Sequence, residues 1–221
     1  MGIQAVFFDM GGTIEKMEAT RALRIQATSE LQDRLRAAGI ELRLSDDELH
    51  EVVMDGWRRY HAWTLETKEE LPPRRVWGEY ILAGHPVDAA KLSAAAGDLM
   101  FFLETRFYHR EMRPEMPEVL EAIKQMGLKI GLISNVCSTG QVPFNLKGYG
   151  IFEYFDPLVL SSEYGRRKPD PSIFHHAARL ANVPTGACAY VGDRIARDIL
   201  GARRAGFRLA VQIRHDFCPG E

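Results

Sequence analysis

The stretch Ile3 Gln4 Ala5 Val6 Phe7 Phe8 Asp9 Met10 Gly11 Gly12 Thr13 sets an apolar run against a carboxylate and a glycine-rich turn. An apolar run of this length, closed by turn formers, reads as a fully buried strand. Asp9 then stands at the strand's tip. In open parallel α/β sheets that edge is where ligands bind, so the position predicts chemistry at Asp9 rather than packing.

Working outward, the pattern after Thr13 turns helical for nearly a hundred residues. Leu23, Ala27, Leu31 and Leu35 share one face of a helix predicted over residues 20–38, with Gly39 as its stop. Ser45 and Glu48 form a capping-box pattern ahead of a helix whose Leu49, Val52, Val53, Trp57 and Tyr60 share a face. Pro72 and Pro73 break the series, and residues 74–83 and 88–108 read as two more helices. From Arg113 onward helices and strands alternate as parallel βαβ units do, with strands at 128–133, 157–160, 187–191 and 208–213. Residues 195–205 read as a helix between the last two strands. Right-handed crossovers stack these strands beside the first. The expected architecture is a doubly wound, mostly parallel Rossmann-like α/β sheet built from residues 1–15 and 112–221, with residues 16–111 inserted as an α-helical domain. Trp57, Tyr60, Trp63, Trp77 and Tyr80 suggest a substrate pocket, but helical spacing of Trp57 and Tyr60 favours the insertion's own core.

The 221 residues carry 28 Lys and Arg against 30 Asp and Glu, a formal net charge of -2. That balance offers no broad basic field for nucleic acid or an anionic membrane, so a small molecule is the expected partner, bound by a monomer or homodimer. Cys137, Cys188 and Cys218 have neither zinc-like nor redox-like spacing and read as free thiols in a reducing, cytoplasmic setting. No stretch reaches the length of a membrane span, and no signal-peptide pattern opens the chain. Met1 Gly2 superficially matches a myristoylation signal, but Val6 stands where Ser or Thr is required.

Four strand-to-loop junctions carry polar residues suited to phosphoryl transfer. They are Asp9 with Thr13, Ser134 with Asn135, Lys168 Pro169 Asp170, and Gly192 Asp193 through Asp198. Each motif alone is weak; four in order, each closing an apolar strand, are specific. Together they resemble the haloacid dehalogenase superfamily of aspartate-nucleophile hydrolases, and the resemblance covers the whole chain because that superfamily often carries a helical cap after the first strand.

A carboxylate can attack phosphorus and form an aspartyl phosphate, which splits hydrolysis into two easier displacements, and Asp9 is the candidate nucleophile. Phosphate dianion repels a carboxylate, so a hard cation on oxygen ligands is expected. Mg²⁺ held by Asp9 and Asp193 fits, and the resemblance adds the Gly11 carbonyl. Lys168 is expected to screen the nucleophile and bind a phosphate oxygen, with Thr13, Ser134, Asn135 and nearby backbone N–H groups as further substrate contacts. Asp198 is expected to orient Lys168 or a metal-bound water. The plainer alternatives are helix caps for Asp9 and Asp193, turn residues for Ser134 and Asn135, and a helix-dipole partner for Asp198. Asp170, before Pro171, reads as a cap, and Arg166, Arg167 and Arg194 as anion-pocket or solvated surface residues.

One departure stands out. Most phosphatases of the resembled superfamily have a second aspartate two residues after the nucleophile, as general acid and base, where this chain has Gly11. Loss of that proton donor costs roughly 100- to 10,000-fold when the leaving oxygen must be protonated. Three explanations are open: substrates with good leaving groups, a donor from elsewhere (Glu15, His61, His85 or His109), or a non-catalytic phosphate-binding protein. Dehalogenation is the rival chemistry, disfavoured by the retained Asp193 and Asp198. Phosphonate cleavage through a cap lysine is disfavoured because no lysine lies between Lys16 and Lys68. The sequence thus predicts a Mg²⁺-dependent phosphatase acting on a small phosphorylated metabolite.

Overall fold

The computed structural model describes residues 2–214. In chain order its elements are β1 (Ala5–Phe8), β2 (Glu15–Glu18), α1 (Arg21–Ala37), α2 (Asp46–Thr67), α3 (Pro73–Arg75), α4 (Ala89–Arg106), β3 (His109–Met112), α5 (Met116–Gln125), β4 (Lys129–Ser134), α6 (Gln141–Gly148), β5 (Leu158–Leu160), α7 (Ser161–Tyr164), α8 (Pro171–Leu180), β6 (Cys188–Gly192), α9 (Leu200–Arg204) and β7 (Leu209–Gln212). Two π-helical turns, Val76–Ile81 and Ile195–Ile199, precede Leu82 and α9. The chain forms two compact units, Glu18–His109 and the sequence on either side of it.

The flanking unit contains a five-stranded sheet in the order β5-β4-β1-β6-β7, with every pair parallel. Chain order reverses on the two sides of β1, and such a switch point opens a crevice beyond the carboxyl ends of the strands. Alternation along β1 feeds two cores. Ala5 and Phe7 pack with Phe174, Ala177, Tyr190 and Phe207, while Val6 and Phe8 pack with Leu120, Leu132, Val142 and Leu146. Helices therefore cover both faces, as the apolar strands require. A Cβ at Gly131 on β4 would lie 2.5 Å from the Phe7 ring, so glycine there makes room for an aromatic in the neighbouring strand.

β2 and β3 form a separate two-stranded sheet. They correct the expectation of an all-helical insertion after Thr13, because both are short and polar and gain their backbone partners from each other. Glu15, fully buried on β2, is held by Arg110 of β3, by Asn145 Nδ2 at 2.8 Å and by Tyr149 OH at 2.9 Å. A buried carboxylate needs such a set of donors. Helix α6 was not signalled in the sequence, and the helix expected over 195–205 begins instead as a π-helical turn.

In the helical unit, Thr20 caps α1 and Ser45 with Glu48 completes the capping box of α2. The stretch expected as one helix over 74–83 is α3 followed by the π-helical turn. Trp57, Tyr60 and Trp77 are buried, while Trp63 and Tyr80 are half-buried beside Tyr60, with ring centroids 6.0 and 5.3 Å away. Among the described residues no helix is long and apolar enough to cross a membrane. Cys137 and Cys188 are buried free thiols; Cys218 lies outside the described residues.

Candidate active site

Parallel pairing brings the ends of β1, β4 and β6 to one edge of the sheet, and with them Asp9, Ser134 and Asp193, all buried. The loop after α7 supplies Lys168, whose side chain is fully enclosed. An ammonium has three N–H donors and needs three acceptors when buried. Lys168 has them: Asp9 Oδ1, Asp198 Oδ1 and Tyr190 OH, each at 2.7 Å. Tyr190 OH lies 3.2 Å from the Ile133 carbonyl and 3.3 Å from Asp198 Oδ1, placing it as the hub between lysine and carboxylate.

Asp9 Oδ1 also accepts the Met10 N–H at 2.8 Å, whereas Oδ2 faces Arg197 Nη2 at 3.9 Å. Burial pushes the Asp9 carboxyl up to about 6 against the opposing pull of Lys168. Asp198 is equally enclosed and burial acts on it in the same direction, but Lys168, Arg197 and its hydrogen bonds prevail and hold it below the ordinary carboxylate range. Burial first, then the Asp198 and Asp9 charges, raise the Tyr190 phenol well above its usual range, so it acts as a neutral hydroxyl. The two aspartates beside Lys168 are thus pushed apart in proton affinity, the pattern that distinguishes a reactive carboxylate from a supporting one.

Single ligand oxygens of Asp9, Asp193 and Asp198 lie within 4.8 Å of one another. Asp198 is already engaged: Oδ1 by Lys168, Oδ2 by the Arg194 N–H at 3.0 Å. Asp9 and Asp193 are the carboxylates placed to hold a hard cation, and an all-oxygen donor set suits Mg²⁺. Of the two tasks expected for Asp198, orienting Lys168 is the one the geometry supports. Asn135, expected as a substrate contact, has its side-chain amide turned to the Lys168 backbone. Its side-chain oxygen accepts the Lys168 N–H at 2.8 Å and its Nδ2 donates to the Lys168 carbonyl at 3.0 Å, clamping the lysine's own backbone. Thr13 lies in the turn after Gly12, its hydroxyl buried without a hydrogen-bond partner among the described residues. Asp170 caps α8 through the Ser172 N–H at 2.9 Å, as expected. Arg166 is exposed and 3.9 Å from Asp170, Arg167 is buried near Cys137, and Arg194 Nε is 3.5 Å from Asp193 Oδ2.

Gly11 is not in the positive-φ region, unlike Gly12 at φ 84°. A Cβ at position 11 would lie 2.5 Å from Met17 Sδ, so the thioether fills the space beside it. Among the alternative donors, Glu15 has both oxygens committed to its buried partners, and His109 is exposed on β3. His61 and His85 belong to the helical unit; His61 packs edge-on against Trp57. Tyr190 and Arg197 are the site residues that sequence reasoning missed. A tyrosine within an apolar strand reads as core, and only the register β1 to β6 shows it one strand away from Asp9.

A family model described as haloacid dehalogenase-like hydrolase matches residues 3–206. Glyceraldehyde 3-phosphate phosphatase of Methanopyrus kandleri is 32% identical over 216 residues, covering 96% of this chain and 84% of its own. Phosphoserine phosphatase of Thermus thermophilus is 33% identical over 164 residues, 72% of this chain and 63% of its own. Among solved structures, a HAD phosphatase from Thermococcus onnurineus superposes with a TM-score of 0.61 at 22% identity, over 99% of this chain and 89% of that one, a likeness of fold.

Proposed function

The chain belongs to the haloacid dehalogenase-like hydrolases, and from that premise we propose that it is a Mg²⁺-dependent phosphatase of small phosphorylated metabolites, with Asp9 as nucleophile. The observation that carries this reading is the buried Lys168 ammonium 2.7 Å from Asp9 Oδ1, with Asp193 beside it at the sheet's switch point. The named activities of the similar phosphatases support phosphate monoesters of small metabolites as the substrate class.

In this reading Asp9 attacks phosphorus, the bond to the leaving oxygen breaks, and an aspartyl phosphate forms; water then attacks phosphorus and releases Asp9 and phosphate. Mg²⁺ held by Asp9, Asp193 and the Gly11 carbonyl would neutralise charge on the phosphoryl oxygens. Lys168 keeps the Asp9 charge tolerable in a buried setting and offers its remaining field to the phosphoryl group. Asn135, Tyr190 and Asp198 hold Lys168 in place. Ser134 and Thr13 donate to phosphoryl oxygens. The helical unit Glu18–His109 serves as the cap that sets specificity, and the free thiols Cys137 and Cys188 support a cytoplasmic setting.

The test is hydrolysis of an aryl phosphate with Mg²⁺, then of a panel that includes glyceraldehyde 3-phosphate and phosphoserine. Asp9→Asn should abolish it; retention of activity in that variant would overturn the assignment. Because Gly11 supplies no acid, aryl and acyl phosphates should turn over roughly 100-fold or more faster than alkyl phosphates. Gly11→Asp combined with Met17→Ala, which clears space for the new side chain, should raise the alkyl rate selectively. Equal aryl and alkyl rates in the wild type would place the proton donor at another residue.

A further inference from the structure

Arg197 reaches the site from the π-helical turn after β6, with Nη2 3.9 Å from Asp9 Oδ2 and 4.0 Å from Asp193 Oδ1. Both distances exceed hydrogen-bond reach. Its Nε is buried yet has no hydrogen-bond partner among the described residues. The guanidinium therefore lies between two carboxylates without being bonded to either. Its side chain is 30% exposed and theirs 5% and 4%, so the arginine keeps access to solvent where the carboxylates do not.

The local charges explain its presence. Asp9, Asp193 and Asp198 bring three negative charges, and Lys168 offsets one. Arg194, beside Asp193 Oδ2, and Arg197, between Asp9 Oδ2 and Asp193 Oδ1, offset the others. The carboxylates that face Arg197 are the pair placed to hold a divalent cation, so arginine and cation compete for the same oxygens. A phosphate dianion entering with the cation would restore the balance and give the planar guanidinium anionic oxygen acceptors.

We infer that Arg197 is an exchangeable counter-ion: it neutralises Asp9 and Asp193 in the metal-free protein and passes to a phosphoryl oxygen when Mg²⁺ takes those carboxylates. The inference rests on the proposed roles of Asp9 and Asp193 and adds a consequence that they do not contain. Mg²⁺ alone binds against the guanidinium, and phosphate relieves that opposition, so each ligand raises the affinity of the other by the same factor.

Isothermal titration of Mg²⁺ into the protein, with and without inorganic phosphate, reads this coupling without catalysis. In the wild type, phosphate should raise Mg²⁺ affinity by roughly tenfold or more. Arg197→Gln should bind Mg²⁺ alone roughly 5- to 20-fold more tightly, since a like charge about 4 Å from the carboxylates is gone, with screening at a part-exposed side chain reducing the effect. The enhancement by phosphate should shrink to about twofold in that variant. Arg197→Lys, which keeps the charge, should retain the opposition to Mg²⁺. Unchanged or weaker Mg²⁺ affinity in Arg197→Gln, in a wild type that binds both ligands, would overturn the inference and leave the phosphatase reading standing. A wild type that binds neither ligand would overturn both.

Discussion

Asp9 is kept in an environment that disfavours its own charge, and the consequence is measurable. In the metal-free protein its folded pKa, about 6, exceeds the ordinary 3.8, so the penalty for ionisation is absent below 3.8 and complete above 6. Asp9→Asn removes the penalty, while Lys168 keeps Asp198 and Tyr190 as acceptors. We predict that the variant is more stable than the wild type by about 1–3 kcal/mol at pH 7.5, an advantage that fades toward pH 4.5. Thermal unfolding of both proteins across that range checks it; an advantage independent of pH would show that charge is not the cause. Thr13 carries a similar conflict in a neutral group. Thr13→Val should keep the shape, remove a buried hydroxyl without a partner and raise stability by about 1 kcal/mol, while weakening phosphate binding. A destabilised variant would show that the hydroxyl is satisfied in solution. At this scale Asp9 and Asp193 stood out in the sequence because each is a carboxylate closing an apolar run, and Lys168 and Asp198 because they complete the motifs around them. The sequence concealed Tyr190, which looks like core, and Arg197, which looks like one of many surface arginines.

The strands were legible where burial writes an apolar run, as in β1, β4 and β6, and illegible where pairing alone makes the strand. Glu15–Glu18 and His109–Met112 hold a single apolar residue each, Met17 and Met112, so no period marks them. The π-helical turn Ile195–Ile199 was likewise invisible, since its apolar spacing resembles that of an α-helix; yet this turn sets Asp198 behind β6. The approach is close: a Cβ at Gly192 would lie 2.5 Å from Asp198 Cβ and 2.6 Å from Cγ. Gly192→Ala should therefore displace the turn and with it the Asp198 carboxylate from Lys168. We expect a loss of about 1–3 kcal/mol from overpacking and a fall in activity larger than the loss of fold explains. Gly186→Ala, with open space around the added methyl, is the control and should change stability by less than about 0.5 kcal/mol. Equal behaviour of the two variants would show that the turn accommodates the methyl group.

For the whole molecule, the order β5-β4-β1-β6-β7 converts four separated motifs into one edge, which is why the fold could be reasoned from the motifs and the motifs' roles from the fold. The register is what the sequence could not supply, because parallel pairing is decided by crossovers remote from the paired residues. With Mg²⁺ held as proposed, the assembled edge would link metal, protons and global stability in one equilibrium. Metal-free folded protein holds a proton on Asp9 up to about pH 6, whereas a Mg²⁺-loaded site requires the carboxylate. Mg²⁺ binding to the folded chain, as proposed above, would raise its unfolding midpoint, but below pH 6 part of the binding energy would be consumed in displacing that proton. The shift produced by a fixed Mg²⁺ concentration should thus be small at pH 5, grow through pH 6 and level off above pH 7. Binding should release up to about one proton at the low end, visible as a buffer-dependent heat in titration calorimetry. In Asp9→Asn the shift should be smaller and nearly flat with pH, since the neutral amide is a weaker ligand and has no proton to surrender. A Mg²⁺ shift that is as large at pH 5 as at pH 7.5 in the wild type would mean that the cation is held without Asp9.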